Sequence, residues 1–415
     1  MKMILEISKH TITIQNKKFP LALALFTVIV YLGNDLMLPA MVQITQGFQV
    51  GAEWGPTSMS AYLLGGALLA SIWGPVSDQL GRRKVFLFGA AFFIVGCVII
   101  LFTKSIEQFM LIRVLQGTAL TLISAVGFAT IQEAYEEKQA VKVMALMANI
   151  SLLAPLAGPV LGAALIEYTS WEWGFVALAA LAVVAFLGLF FHMPETVNLS
   201  VKQNHSVKSI LGDFYHLYTN KRFMILALAG PLIGLPIMLW ISLSPMFLMA
   251  TLELSSYEYA LSQLPVMGAL VLGNLLLARL VDHYPLGKTV LATFPVVILG
   301  VGVMFLGLMY QVHLLVALIV GMSLIALAEG LSYAVLFRFA LVASDISKGT
   351  VAAAMATVVM VFFSVIIEIT KTLYFYWGFH GLVAVCALSI MAYAWLAIPV
   401  LKDVMAQRAL EMENA

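Results

Sequence analysis

Charge is what this sequence has least of. Only 10% of its 415 residues are Asp, Glu, Lys or Arg, where an ordinary soluble domain carries about a quarter, so a water-exposed surface along the whole chain is excluded. Cysteine is nearly absent. Cys97 and Cys386 lie inside apolar runs in opposite halves of the chain, with no metal-ligand spacing around either, and a disulfide framework is not supported. The patterns GxxxxGK[ST], HExxH and the serine elbow are missing, which leaves ATP-driven pumping and hydrolysis without sequence support. The seven histidines are dispersed, mostly at the ends of apolar runs. No cofactor, no metal site and no nucleic-acid partner is expected, and the chain is not expected to be an enzyme.

What is abundant is apolar length. Hydrophobic residues make up 62% of the chain, gathered into runs of the length that an α-helix needs to cross a hydrocarbon core of about 30 Å. Twelve such runs are predicted, near 19 to 41, 56 to 78, 84 to 103, 107 to 133, 143 to 167, 173 to 193, 223 to 250, 257 to 281, 288 to 309, 312 to 339, 349 to 376 and 380 to 402. The first is too long for a signal-peptide core and is expected to be retained. The longest polar interval, "PETVNLSVKQNHSVKSILGDFYHLYTNKR", divides the runs six and six. The expected organisation is therefore a six-helix bundle over 1–193, a linker over 194–222 with a short amphipathic piece around Ile210 to Tyr218, and a second six-helix bundle over 223–415. "SDQLGRRK" at 77 to 84 returns six spans later as "VDHYPLGK" at 281 to 288. Two parallel six-helix halves with a midplane site between them are the plan of many secondary transporters. Lys2, Lys9, Lys17, Lys18, Arg82, Arg83, Lys84, Lys138, Lys142, Lys202, Lys208, Lys221, Arg222, Lys288, Lys348, Lys402 and Arg408 fall on one side of this arrangement. Only Lys104 and Lys371 fall on the other, so both termini are expected in the cytoplasm.

Against that apolar background the few intramembrane charges carry information, because each costs about 3 kcal/mol or more at the bilayer centre. "YLGNDLMLPAM", 31 to 41, holds Asp35, with Thr27 and Tyr31 at four-residue intervals before it and Asn34 beside it, so one side of span 1 is polar. Burial disfavours an ionised carboxylate and a nearby cation favours it; a carboxylate with an exchangeable neighbour can carry a proton. The alternative is a structural carboxylate bonded to a neighbouring helix. Arg113 lies about two turns inside span 4, at a depth comparable to Asp35, and is the expected partner, either as a switch for the carboxylate or as one half of a structural ion pair. Glu329 sits well inside span 10, with Ser332 and Tyr333 at i+3 and i+4. It is read either as a second protonation or cation-binding site, or as a glutamate bonded to a serine or tyrosine elsewhere. Glu133, Glu136, Glu137 and Glu368 are read as interfacial groups able to gate. Tyr31, Asn34, Asp35, Met59, Met147, Asn149, Ile237, Trp240, Ile241, Ala356 and Met360 are candidate substrate contacts. Flexible methionines suit a pocket that re-packs around different molecules; each residue singly is equally a packing residue.

Several stretches resemble a known family. "GPVSDQLGRRK" (74 to 84) looks like the loop motif between the second and third helices of the major facilitator superfamily. "RVLQG" (113 to 117) resembles the fourth-helix motif of its proton-coupled exporters, and "APLAGPVLGAAL" (154 to 165) the fifth-helix antiporter motif. "LGNDLMLPAM", "PTSMSAYLLGG", "IQEAYEE", "LSSYEYALSQLPVMGALVLGNLLLARL" and "ASDISKGTVAAAM" are similar to the MdfA-type multidrug antiporters over nearly the full chain. The resemblance implies an all-α integral membrane protein of twelve transmembrane helices in two pseudo-symmetric halves. It gives Arg113 a proton-linked role. To Gly74, Asp78, Gly81, Arg82 and Arg83 it gives a conformational role on the cytoplasmic side, with Asp78 placed to meet basic groups or a helix N-terminus. Gly158, Pro159 and Gly162 become a bend that controls leakage and direction, where close helix packing alone explains the glycines equally well. One departure stands out: MdfA-type antiporters carry a second acid eight positions before the aspartate, and here that position is Thr27.

The expected function is proton-driven export of lipophilic compounds, cationic or neutral, across a bacterial inner membrane by a monomer using alternating access. Export of a single endogenous metabolite, such as a siderophore or sugar, is the rival within transport. A membrane-embedded enzyme is the rival outside it and lacks the expected cluster of histidines or carboxylates at one membrane face.

Overall fold

Hydropathy this high leaves the backbone no solvent inside a bilayer, so its polar groups must be satisfied within each helix. The computed structural model describes residues 18–136, 139–140, 143, 147, 153–197, 207–280, 283–284, 286–310 and 313–413 and contains no strand among them. Among the described residues eleven helices are long and apolar enough to cross a membrane: Lys18–Asp35, Trp54–Leu80, Arg82–Phe102, Ile106–Ala134, Trp171–His192, Lys221–Thr251, Ser256–Leu280, Gly287–Tyr310, Leu314–Leu341, Lys348–Trp377 and Phe379–Asp403. They occupy places 1 to 4 and 6 to 12 of the expected series. The fifth place is held by Leu153–Tyr168, whose apolar part Ala157–Tyr168 is shorter than a full crossing. The expected fifth span, 143 to 167, runs through 144–146 and 148–152, which lie outside the described residues, and this accounts for eleven long helices where twelve were expected. The chain has the all-α fold of a multi-pass membrane protein, and its outer face is apolar as a lipid-facing belt must be, with Phe88, Phe191, Leu275, Phe305 and Trp395 all exposed.

Prolines break the regular helices at identifiable carbonyls. Span 1 stops at Asp35 and resumes as Met37–Gly47. Pro39 has no N–H to offer the Asp35 carbonyl four residues earlier, so the helix is weakest at the buried acid itself. Span 7 contains Pro231 and Pro236. Pro236 frees the Leu232 carbonyl in the same way, and Ser389 of span 12 donates its hydroxyl to that oxygen at 2.5 Å. Span 4 widens to a π-helical turn at Ile123–Gly127.

Four glycines set two reciprocal helix crossings, one in each half. A Cβ at Gly65 of span 2 would stand 1.8 Å from the Val114 carbonyl oxygen, and one at Gly117 of span 4 would stand 1.8 Å from that of Tyr62. Each helix presses its bare glycine onto the backbone three residues before the other's glycine. Spans 8 and 10 repeat this: a Cβ at Gly273 would meet the Leu327 oxygen at 2.4 Å, and one at Gly330 the Leu270 oxygen at 2.4 Å. The loops echo it as well, since Gln49 after span 1 and Glu253 after span 7 both take positive φ, 56° and 55°. The same crossing recurs six spans later, which is the pseudo-symmetry of two six-helix halves.

Between the halves, span 2 packs on span 11, span 5 on span 8, and Met37–Gly47 on Pro245–Thr251. The last contact lies at the end of the bundle opposite the interdomain linker, called here the far face; the other end is the linker face. The amphipathic piece is a helix, Val207–Thr219, resting on spans 7 and 11 with Phe214 and Leu217 buried and Tyr215 exposed.

The glycine crossings make a direct prediction. Gly117→Leu and Gly330→Leu should each destabilise the protein by about 3 kcal/mol or more, because the obstacle is backbone and overpacking of that kind has no cheap relaxation. Gly74→Ala, with nothing within 4 Å of the added carbon, should stay within about 1 kcal/mol of the parent. Thermal unfolding of the detergent-solubilised protein checks all three; equal midpoints for the leucine variants and Gly74→Ala would contradict the crossing geometry.

Candidate proton and substrate site

The break in span 1 puts three successive residues, Gly33, Asn34 and Asp35, against span 4. Arg113 is fully buried there, and its guanidinium is answered by neutral groups. Its Nε donates to Ser58 Oγ at 3.0 Å, and Nη1 donates to the Gly33 carbonyl at 2.9 Å and to Gln116 Oε1 at 3.0 Å. Nη2 donates to Asn34 Oδ1 at 3.0 Å. The ring of Tyr62 closes one face of the guanidinium, 4.4 Å from its carbon to the ring centroid, and the Tyr62 hydroxyl is fixed by the Val30 carbonyl at 2.7 Å.

Of the two readings of Arg113, one half of a structural ion pair with Asp35 is not what the structure presents. Among the described residues no ion pair joins them; Asn34 stands between, taking Arg113 on its carbonyl oxygen and donating from Nδ2 to Asp35 Oδ1 at 3.0 Å. The same amide nitrogen lies 2.7 Å from Met59 Sδ, a weak acceptor. Asn34 thus couples a fixed cation to a buried acid through one neutral amide. Its place was read from the sequence only as substrate surface.

Span 5 closes over this acid. A Cβ at Gly158 would be 2.6 Å from Asp35 Cβ, and one at Gly162 would be 2.2 Å from the Leu36 carbonyl oxygen. The two glycines let span 5 lie directly on the break, and Pro159 sits between them within the helix. Thr27 is fully buried and returns its hydroxyl to the Leu23 carbonyl at 2.8 Å. That hydroxyl is spent on its own helix.

Glu329 lies in the second half and is not held by the residues predicted to share its face. Ser332 bonds Thr293 of span 9 at 3.0 Å, and the Tyr333 ring lies against Gly230 of span 7. The Glu329 carboxylate rests on Gly234 of the same span, where a Cβ would come within 2.7 Å of Oε1. Oε2 is buried without a hydrogen-bond partner, so the reading of Glu329 as a glutamate bonded to a serine or tyrosine elsewhere is not what the geometry presents.

Of the other candidate substrate contacts, Tyr31, Ala356 and Met360 are partly open, whereas Asn34, Met59, Met147, Ile237 and Ile241 are buried. Met360 of span 11 reaches Gly66 of span 2, at the contact of the two halves. Trp240 is enclosed: its indole N–H donates to Gln263 at 2.8 Å and its ring packs on Phe247, so its place is in the packing of spans 7 and 8. Asn149 lies outside the described residues.

At the linker face the residues of "GPVSDQLGRRK" form one cluster inside the first half. Arg82 pairs with Asp78 at 2.6 Å and with Glu133 of span 4 at 2.9 Å, and donates to Ser77 and, at 3.5 Å, to the Gly74 carbonyl. Thr196 donates to Glu133 as well. Asp78 meets a basic group as expected, but the helix N-terminus is met by a residue the sequence reading passed over. Glu195 accepts the backbone N–H of Arg82 at 2.9 Å and of Arg83 at 3.2 Å. Gly81 between helices has φ 101° and leaves room for that carboxylate. The available signal was a lone acid immediately after span 6, in "MPETV". Arg83 reaches the Phe190 carbonyl at 2.6 Å and stacks over its ring. Glu137 lies outside the described residues.

Comparison with known proteins places this geometry among transporters. Residues 23–367 match the Major Facilitator Superfamily. The chain is 50% identical to the chloramphenicol resistance protein CraA of Acinetobacter baumannii, over 92% of this chain and 90% of that protein. It is 44% identical to the multidrug transporter MdfA of Escherichia coli O157:H7, over 85% and 86%. Among solved structures, a D-xylose-proton symporter superposes with a TM-score of 0.74 at 14% identity, covering 92% of this chain and 98% of that one. A bacterial homolog of the human lysosomal transporter Spinster, inward-facing and unoccupied, gives 0.69 at 14% identity, covering 92% and 95%. At that identity the two structures speak for the fold alone.

Arg113 supports a test that does not depend on cargo. Lysine keeps the charge but has three donors on one nitrogen and no planar fork, so Arg113→Lys must abandon some of the four contacts to Ser58, Gly33, Gln116 and Asn34. A hydrogen bond to a charged group is worth about 1.5–3 kcal/mol; the expected loss of stability is about 3 kcal/mol, read by thermal unfolding in detergent. An unchanged midpoint would mean that the fork does not hold spans 1, 2 and 4 together.

Proposed function

Since the chain belongs to the major facilitator superfamily, we propose that it is a secondary active exporter that exchanges lipophilic drugs for protons across a bacterial inner membrane. It is a transporter rather than an enzyme. The single observation that carries the coupling is the neutral bridge: Asp35 is buried at a helix break and reaches Arg113 only through the Asn34 amide. A direct ion pair would hold the carboxylate ionised. An amide bridge leaves Asp35 close enough to the cation to lose its proton and far enough to take it back, and small shifts of span 1 decide which.

The names of the relatives, a multidrug transporter and a chloramphenicol resistance protein, support export of several lipophilic compounds. The predominance of Lys and Arg on the linker side supports placing that face and both termini in the cytoplasm. With the far face sealed, cargo enters from the cytoplasm or inner leaflet while Asp35 releases its proton inward. The halves 1–193 and 223–415 then rock about the site, the linker 194–222 tethering them, and reprotonation from outside favours release there. Tyr31, Met59, Ala356 and Met360 line the path at the junction of the halves, and the methionines adapt it to different molecules. Gly158, Pro159 and Gly162 keep span 5 pressed on the break so that Asp35 is not open to both sides at once. The cluster of Gly74, Asp78, Gly81, Arg82 and Arg83 keeps the linker ends of the first six spans moving as one body.

Glu329 takes the place of the acid missing at Thr27, from the opposite half. Its carboxylate lies against bare span 7 with one oxygen unpartnered, which leaves it free for a proton or for the cationic group of a cargo. The charge balance matters, because each elementary charge crossing the membrane carries about 2.3 kcal/mol per 100 mV.

Two mutants test the assignment in vesicles with an inward proton gradient. Asp35→Asn should abolish uphill transport of every cargo while leaving cargo binding measurable; full gradient-driven transport by that mutant would sink the carrier role. Glu329→Gln should depress transport of cationic cargo by about tenfold, the equivalent of one lost charge contact of about 1.4 kcal/mol, and affect neutral cargo such as chloramphenicol much less. Equal kinetics for both classes would remove Glu329 from the mechanism. The rival, export of one endogenous metabolite, draws on the missing acid at Thr27; an efflux-deficient host expressing this chain and gaining resistance to none of a panel of cationic and neutral compounds would favour it.

A further inference from the structure

The polar groups that join the two halves gather at the far face, on spans 2 and 11. Glu368 of span 11 accepts hydrogen bonds from Ser60 and, at 3.4 Å, from Thr57, both of span 2. Lys371, one turn further along span 11, pairs with Glu368 and donates to Thr57 Oγ1 at 2.7 Å. Ser364, one turn before Glu368, donates to the Ser60 backbone carbonyl at 2.9 Å. Ser60 and Ser364 are buried at this seam. We propose that Glu368 is the positioning residue of the far-face gate: with Lys371 and Ser364 it latches span 11 to Thr57 and Ser60 and holds the transporter closed on that side. This rests on the exporter reading and adds to it the residues that decide when the exit opens.

The chemistry of the seam suits a latch that must open on every cycle. Both charges sit on span 11, at i and i+3, and travel together. Their partners across the seam are the hydroxyls of Thr57 and Ser60, which water replaces when the halves part. An ion pair across the seam would strand two buried charges at each opening, whereas here Glu368 keeps Lys371 in either state. The latch also accounts for Lys371 as one of the two basic residues on the side that otherwise lacks them.

The test reads conformation and needs neither a cargo nor a proton gradient. Met41 and Met246 are both buried and line a small cavity between the halves at the far end. The two native cysteines are buried, so Met41→Cys supplies the reactive thiol for a membrane-impermeant maleimide added from the far side. Glu368→Gln in that background should raise the labelling rate about tenfold, the size expected for a lost charge-assisted hydrogen bond. Ser60→Ala, which leaves the ion pair intact and removes a hydroxyl from the other half, should raise it in the same direction. Unchanged labelling in both variants overturns the latch, as does faster labelling in Glu368→Gln alone, since that would locate the effect within span 11. Because labelling is independent of coupling, an active Asp35→Asn protein would refute the exporter mechanism and leave this result standing.

Discussion

A charge placed in hydrocarbon has to be answered from within the chain, and the architecture around Arg113 follows from that requirement. Four neutral acceptors and one aromatic face enclose the guanidinium, and to supply them spans 1, 2 and 4 must come within hydrogen-bonding distance of one another. Gly65 and Gly117 permit the approach of spans 2 and 4. The break at Asp35 turns the Gly33 carbonyl and the Asn34 amide toward the cation. Gly158 and Gly162 then let span 5 cover the break, which keeps water from answering the charge in place of the protein. The glycines, the proline and the polar residues of "YLGNDLMLPAM" are parts of one solution to one electrostatic problem.

The second half faces a gentler version of that problem. Spans 8 and 10 cross through Gly273 and Gly330 in the manner of spans 2 and 4, but the counterpart of the arginine cradle is absent among the described residues of this half. Glu329 rests instead on the bare surface of span 7 made by Gly234. One oxygen of that carboxylate, Oε2, is buried without a hydrogen-bond partner. The halves thus differ in how they hold a buried charge-bearing side chain: Arg113 sits among neutral acceptors in one, Glu329 lies on bare span 7 in the other, and Asp35 reaches the first through one amide.

Hydropathy alone located the helices well, because long apolar runs have few alternative meanings, and it brought Asp35, Arg113 and Glu329 forward as rare charges at depth. What it did not disclose was connectivity. Asn34 and Asp35 are adjacent in sequence, and nothing in that adjacency says that the first bridges the second to span 4; the answer depends on a side-chain orientation set by the break at Leu36. Glu195 was equally hidden, since a single acid after a helix has no pattern until the fold brings the start of span 3 to it. The expected fifth span, 143 to 167, lies partly outside the described residues, and its described part is the helix Leu153–Tyr168. The glycines were visible as a composition of small residues, yet their reciprocal spacing across spans 2 and 4 and spans 8 and 10 has meaning only once the helices are paired.

Placement of the ion pairs separates what holds each half together from what must come apart. Arg82 with Asp78 and Glu133 lies within the first half, and Lys371 with Glu368 within one helix of the second. An ion pair made across the moving seam would have to be parted on each cycle, at a cost that grows with its burial. Neutral hydrogen bonds, at about 0.5–1.5 kcal/mol net, are within reach of a bound cargo or a proton. Across the halves, Glu368 and Lys371 meet the hydroxyls of Thr57 and Ser60, and Ser364 meets the Ser60 carbonyl, so each of these contacts has an uncharged group on the first half. Ion pairs lie inside a half, and the seam sets the charges of span 11 against uncharged groups of span 2, so that parting the two helices separates no ion pair.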